Sequence, residues 1–359
     1  MKIAGALFAA AALVCPCVVA AADKPAPPAV ERIVLVGHGL GHGIGLSQWG
    51  AEERATAGQS LRAILGFYYP GTSLTARPTH LVRVLVAERT TLTVGSRGSF
   101  SARDRAGHVW TLRGLQQAGA TFAGHRVVYP LELTPGSTPL RVGGVPYGGS
   151  VRITRSGGLL LAVDQVGLEQ YVTGVVSAEC PAYWKPAALE AQAVAARSYA
   201  LSHLRKHSPF DVYPDDRSQN YRGLARNFAA AGRATAATTG DVLTYHGRIA
   251  DTMFSASNGG LTNAGGKPYL ISRPDPFDAR SPAANWGPVA VSAARIEAAF
   301  PALAGAALAG VSVRYDNAHR AARVILAATT GKRLAVSGFS FQERLDLRST
   351  YLTIAATGS

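Results

Sequence analysis

Glu179 is the residue best suited to moving a proton. It lies in Ser177-Ala178-Glu179-Cys180-Pro181, between two stretches of helical spacing. Pro181 disfavours a helical conformation at Cys180, so a turn is expected there. A carboxyl at such a turn, beside Tyr183 and Trp184, would be partly desolvated. Desolvation raises a carboxyl pKa, and a protonated carboxyl is a general acid. Spacing alone does not separate this reading from a solvated glutamate capping the next helix. A second constellation alternates glycine with histidine, from Gly37-His38-Gly39 to Gly41-His42-Gly43-Ile44-Gly45. Such glycines let a backbone approach a ligand closely. The pattern fits a glycan-contact loop. It also fits a metal site through neutral imidazoles, but no third ligand is evident nearby. Cys180 is either a thiol nucleophile or, more commonly, a small buried apolar residue. Ser255-Ala256-Ser257-Asn258-Gly259-Gly260 offers hydroxyls and amides to a sugar, or is a plain turn.

These residues need scaffolding. Leu61, Ile64 and Leu65 share a helical face that ends at Tyr68-Tyr69-Pro70-Gly71. Segments 81–87, 126–133, 150–154 and 159–163 read as short strands between Gly- and Pro-containing turns. From Gly167 the period changes: Leu168, Tyr171, Val172, Val175 and Val176 repeat at helical spacing. Pro186 suits a first helical turn. After it Leu189, Ala193, Ala196, Ala200 and Leu204 form a second stripe. The class is α+β, with a helical centre and a β-rich insertion ahead of it.

The whole chain has 359 residues, 47% hydrophobic and 16% charged, with a net charge of +14. That is a globular composition with ample core, not a disordered one. Lys2 followed by the uncharged run Ile3–Ala20 and the small residues Ala20-Ala21-Ala22 reads as an export leader over 1–22. Eighteen apolar residues is near the minimum for a membrane span, but the small residues at the end favour cleavage. Neither Cys15 nor Cys17 has the preceding small residue of a lipoprotein site. Residues 23–32 form a Pro-rich linker. Loss of the leader leaves Cys180 as the sole cysteine, so no internal disulfide can form. The basic charge suits a polyanionic setting such as the cell wall. Nucleic acid is the usual alternative, but no dense basic run or nucleic-acid motif is present.

Taken together, the segments resemble the SpoIID/LytB family. The long match runs from Leu168-Glu169-Gln170-Tyr171 through Glu179, Pro181 and Trp184 to the run Ala188–Ala200, which includes Arg197 and Tyr199. Gln219 with Tyr221-Arg222-Gly223, Phe254–Gly260, Pro268-Tyr269-Leu270, Ser281-Pro282 and Trp286 extend it. Gly43–Ala51, with Ser47 and Gln48, and Phe67–Gly71 are further signatures. The Gly-His block stands in front here, whereas the sporulation protein carries it near its C-terminus. This implies that segments 33–80 and 340–359 meet in space. Cys180 replaces the methionine common after the catalytic Glu.

The resemblance implies a single domain over 33–359: a Gly/His-rich segment 33–80, the insertion 81–165 and a catalytic core 166–359. It implies a lytic transglycosylase with Glu179 as catalytic acid, or a non-catalytic enhancer of an amidase. His38, His42, Ser47, Gln48, Arg197, Tyr199, Gln219, Ser255, Ser257 and Asn258 would contact the glycan. No cofactor or metal is called for. A metal-dependent hydrolase using His38 and His42 is the remaining reading. The expected partners are peptidoglycan glycan strands and a cell-wall amidase, outside the cytoplasmic membrane and without a lasting membrane span.

Overall fold

A computed structural model of the protein describes residues 26–78 and 80–358. The leader expected over 1–22 lies outside them, as does the start of the linker. Residues 26–31 are irregular, and Arg32 already belongs to the first strand. Among the described residues no helix is long and apolar enough to cross a membrane.

The architecture is mixed α+β. Strand Arg32–His38 lies in the middle of a three-stranded antiparallel sheet, between Asn285–Ser292 and Leu352–Gly358. The early and late segments of the chain therefore meet. Two short helices follow, α1 (Gln48–Thr56) and α2 (Leu61–Tyr68), capped by Ser47 and Ser60. Each cap hydroxyl accepts one of the backbone N–H groups that a helix start leaves free.

Residues 81–167 build a ten-stranded antiparallel sheet. Segments 81–87, 150–154 and 159–163 lie in strands, as their β-branched residues predict. The strand expected over 126–133 is replaced by two pieces, His125–Arg126 and Leu131–Pro135. The long strands Leu92–Arg103 and Val109–Ala118 fall within the stretch 81–165 that reads as β-rich, and are longer than the short segments expected there. Their Gly and Ser residues resemble turn signals; the backbone ladder to their neighbours holds them extended. Leu159–Gly167 runs straight into the helical centre, so the boundary expected at 165 falls inside a strand.

That centre is α3 (Leu168–Glu179) and α4 (Pro186–Ser202). Glu179 is the last helical residue of α3, not part of a free turn. Cys180 then turns extended (φ −118°, ψ 145°), as the residue before a proline does. Pro186 occupies the first turn of α4, where a missing N–H costs nothing. α4 touches α1, α2, α3, α5 (Ala229–Ala237) and strand Asp241–Tyr245. It is buried nearly all round, rather than along one stripe. Its alanines at 188, 191, 193, 195, 196 and 200 let these elements approach it. The helix ends at Ser202, so Leu204, expected on the stripe, falls outside it and is partly exposed.

The C-terminal part adds α6 (Ala293–Ala299), α7 (Gly338–Arg344) and an antiparallel three-stranded sheet, Leu308–Tyr315, Ala321–Ala328 and Arg333–Ser337. It shares a core with the first strand: Ile33 and Leu35 pack with Phe300, Leu326, Phe341 and Leu345. A second core joins α1, α2 and α4, and a third joins the large sheet to α3 and α4.

Candidate active site

A cleft of about 650 Å³ opens where these parts meet. Five regions far apart in sequence line it. The Gly-His loop and the start of α1 give Leu40, Gly41, His42 and Gln48; the end of α3 gives Glu179. The loop after α4 gives Asp216, Ser218 and Asn220, and residues 254–256 give Phe254, Ser255 and Ala256. Gln342, Asp346, Leu347 and Arg348 close the remaining side from α7 and the turn beyond it.

Glu179 is half-buried, and both its oxygens are held. Gln48 Nε2 donates to Oε2 at 3.0 Å, and the Asn220 backbone N–H donates to Oε1 at 2.8 Å. Gln48 is the first residue of α1, and Gln219, just before Asn220, is anchored in the core. Tyr171 Oη donates to Gln219 Oε1 at 2.9 Å. The carboxyl thus has a fixed direction into the cleft. A group so held can exchange a proton with a ligand lying beside it.

The Gly-His loop follows a path that side chains would obstruct. Gly45 has φ +68°, and a Cβ there would stand 2.0 Å from the Met253 carbonyl. His42 Nδ1 accepts from the Ile44 backbone N–H at 2.9 Å, which places its proton on Nε2. Burial, and then the charge of Arg320, pushes the His42 imidazole down to about 4. It is therefore neutral at pH 7. Arg320 is itself fully buried beneath the loop, where a Cβ on Gly43 would meet its guanidinium.

Two buried aspartates not singled out in the sequence hold the rest together. Asp278 accepts from Ser47 Oγ at 2.6 Å, Ser257 Oγ at 2.8 Å and the Gly259 N–H at 2.6 Å. Burial pushes its carboxyl up, against the pull of those hydroxyls. Asp275 takes Arg54 Nη2 at 2.8 Å, Tyr68 Oη at 2.7 Å and Asn258 Nδ2 at 2.8 Å. The Asp-Pro-Phe-Asp run at 275–278 was the available signal.

The site residues expected from the sequence therefore divide. Glu179, Gln48, His42 and Ser255 line the cleft. Tyr199 is half-buried at its margin, its ring edge-on to Phe254 at 6.4 Å. Ser47, Arg197, Gln219, Ser257 and Asn258 are buried, so a direct sugar contact is corrected to a supporting one. The physical reason is plainest at Arg197, which forks onto Glu169 at 3.0 and 2.6 Å. His38 lies outside the cleft lining. Its Nδ1 pairs with Asn285 Oδ1 at 2.7 Å, and its ring leans on Tyr351. Asn285 borders a neighbouring hollow of about 460 Å³ that shares Asp346, Leu347 and Arg348 with the cleft. The two histidines thus do not converge, and among the described residues no three His, Cys, Asp or Glu side chains gather as metal ligands. Cys180 is buried, and burial followed by the charges of Glu179 and Glu52 pushes its thiol well up. That opposes the thiolate a nucleophile needs.

Residues 156–245, which contain α3, α4 and Glu179, match the family model described as stage II sporulation protein. Over this stretch the chain is similar to the SpoIID/LytB family. Stage II sporulation protein D of Bacillus amyloliquefaciens is 35% identical over 184 residues, 44% of this chain and 52% of that protein. An uncharacterized protein of Brachyspira hyodysenteriae is 33% identical over 134 residues, 36% of each chain. The amidase enhancer of Bacillus subtilis is 56% identical over 46 residues, 13% of this chain and 6% of its own. The chain spans about half, or less, of the length of the curated relatives it matches.

Proposed function

We propose that this chain is an exported peptidoglycan lytic transglycosylase, with Glu179 as its acid and then its base. The observation that carries the reading is the Glu179 carboxyl on the open cleft, each of its oxygens held by a protein donor. Names among its relatives, stage II sporulation protein D and amidase enhancer, support a role in the cell wall.

In the proposed reaction Glu179 gives its proton to the oxygen joining N-acetylmuramic acid C1 to N-acetylglucosamine C4. The C1–O bond breaks. The 6-hydroxyl oxygen of the same muramic unit bonds to C1, and its proton passes to Glu179, which becomes the acid again. No water enters. The products are a 1,6-anhydro-muramic end and a free glucosamine 4-hydroxyl. One carboxyl serves both steps, whereas ordinary glycosidases use two. Gln48, His42 and Ser255 would bind the sugars with amide, neutral imidazole and hydroxyl. Glycan stripped of its stem peptides would fit the cleft, and a wall amidase is the partner that would supply it. The place of action would be extracytoplasmic.

Glu179→Gln tests this on denuded glycan with products read by mass spectrometry. Turnover should fall by about 10²–10⁴-fold, the usual share of general acid–base catalysis. The fold should survive, because Gln48 can flip its amide to face the new NH₂ group. Reducing ends from the unmutated protein would mean hydrolysis and sink the reading. A second reading, a non-catalytic amidase enhancer, is favoured by the 56% identical stretch. Binding of denuded glycan with no cleavage, together with stimulation of an added amidase, would select it.

A further inference from the structure

The large sheet carries a hollow that the cleft does not use. It has a volume of about 690 Å³, and its walls include Arg105, Val127, Val128, Tyr129, Thr154 and Arg155. It shares no residue with the cleft. Thr154 and Arg155 pair with Leu161 and Leu160, near the start of the strand that reaches α3 only after Gly167. That stretch of strand measures roughly 20 Å at about 3.3 Å per residue, and Glu179 stands at the far end of α3.

The charge of this region is one-sided. Residues 81–165 hold ten arginines, no lysine and four acidic residues. Arg83 and Arg152 have ion-pair partners, Asp211 and Glu132. Asp104 and Asp164 are buried; Asp104 accepts from the Val128 backbone N–H at 3.1 Å and offsets part of the charge at the Arg105 end of the hollow, which leaves the arginines in excess. Among the described residues, no carboxylate lies within ion-pairing distance of Arg105 or Arg155.

Both arginines are tied to the hollow. Arg155 Nη2 donates to the Gly119 carbonyl at 2.9 Å, which also accepts from Tyr129 Oη at 2.9 Å. The guanidinium lies 5.2 Å from the Tyr129 ring centroid. The Arg105 backbone N–H donates to the Val128 carbonyl at 2.9 Å. Val128 leaves half its surface in water, an apolar wall beside the cations. A guanidinium without a counter-ion matches the oxygens of a phosphate diester in charge and geometry. Exposed Arg103, Arg113 and Arg126 on adjoining strands continue the charge beyond the hollow, which favours a repeating polyanion over a single anion.

We propose that this hollow binds an anionic glycopolymer, with phosphate diesters on Arg105 and Arg155 and its sugar or polyol units against Val128 and Tyr129. The choice of a wall polymer over a nucleic acid rests on the extracytoplasmic reading above; the site itself rests on the hollow. It would hold the protein to the wall independently of the cleft.

The test is calorimetric titration of the full chain with poly(glycerol phosphate). Arg105→Ala/Arg155→Ala should weaken binding by at least about tenfold at ~0.1 M salt. Arg314→Ala/Arg323→Ala removes the same charge from facing positions in the C-terminal sheet. It should change affinity by no more than about twofold, because distant exposed charges are screened. Glu179→Gln should bind the polymer like the unmutated chain, so a failed catalytic reading leaves this result standing. No binding, or equal losses in the two arginine pairs, would overturn the proposal. So would tighter binding to phosphatidylglycerol vesicles or to a DNA oligonucleotide of equal charge.

Discussion

Replacing Arg197 with Met should unsettle the fold and leave the glycan untouched. Its Nε and Nη2 bond to the two oxygens of Glu169, and its Nη1 donates to the Asp241 carbonyl at 3.0 Å. Removing one partner of a buried ion pair costs about 3–5 kcal/mol, because the other charge stays behind. Glu169 keeps 25% of its side chain exposed, and water screens part of that cost. The lower end, about 2–3 kcal/mol, is therefore expected for the pair. The orphaned Asp241 carbonyl adds about 1 kcal/mol. At roughly 2–4 °C per kcal/mol the melting temperature should fall by about 10 °C. Circular dichroism melts read this directly. Glycan affinity, measured well below the transition, should stay within about twofold, since Arg197 has no exposed surface. Glu169→Gln/Arg197→Met should recover part of the loss, because no charge is then stranded. An unchanged melt together with a tenfold loss of glycan affinity would refute this account and make Arg197 a substrate contact after all.

Cys180→Ser should keep most of its activity and melt lower by a few degrees, about 1 kcal/mol for a hydroxyl placed in an apolar pocket; thiol reagents that stop turnover would contradict the packing role. Arg348→Ala should raise the KM for denuded glycan with little change in kcat, because Arg348 lines the cleft but is not one of the donors that hold Glu179; a loss confined to kcat would speak against this. The acid range holds two opposing slopes. The Asp164 carboxyl is pushed up to about 6 by burial. Between pH 3.8 and 6 the native chain therefore holds a proton that the unfolded chain has lost, and stability falls as pH rises. His42 does the reverse between about 4 and 6.5, where only the unfolded chain is protonated. In urea titrations Asp164→Asn should remove a falling contribution, so that the slope of stability against pH across this window becomes more positive than in the unmutated chain, with Asp278 and Glu52 acting alike in both; an unchanged slope would overturn the assignment.

The helical centre was legible because its signals are local. The 3.6-residue period from Leu168 to Val176, Pro181 as a stop and Pro186 as a start fix α3 and α4 without distant help. That α4 would be covered on every side was not legible. Its alanine-rich pattern suits a surface helix equally well, and the neighbours that cover it come from four other parts of the chain. Glu179 stood out through its motif, but its two donors lie at Gln48 and Asn220, and no local pattern links them. The buried residues were mistaken for ligand contacts for a related reason. Ser47, Ser257 and Asn258 are polar and sit beside glycines, as sugar-binding residues do. Only the fold reveals Asp275 and Asp278 waiting for them. The remaining wall, Gln342 to Arg348, comes from a stretch with mixed helix and strand character and no motif at all.

The strand Arg32–His38 has consequences for timing. It is made well before both its neighbours in the sheet, Asn285–Ser292 and Leu352–Gly358. Until they exist it has nothing to pair with, and closing so long a loop is slow. α3 and α4 can form from nearby residues as soon as they emerge. The Gly-His loop, which hangs directly from that strand, cannot take its seat until nearly the whole chain is present. A nascent or truncated chain would carry Glu179 without the wall that faces it. Assembly order thus delays the complete cleft until the segment 342–358 has been made.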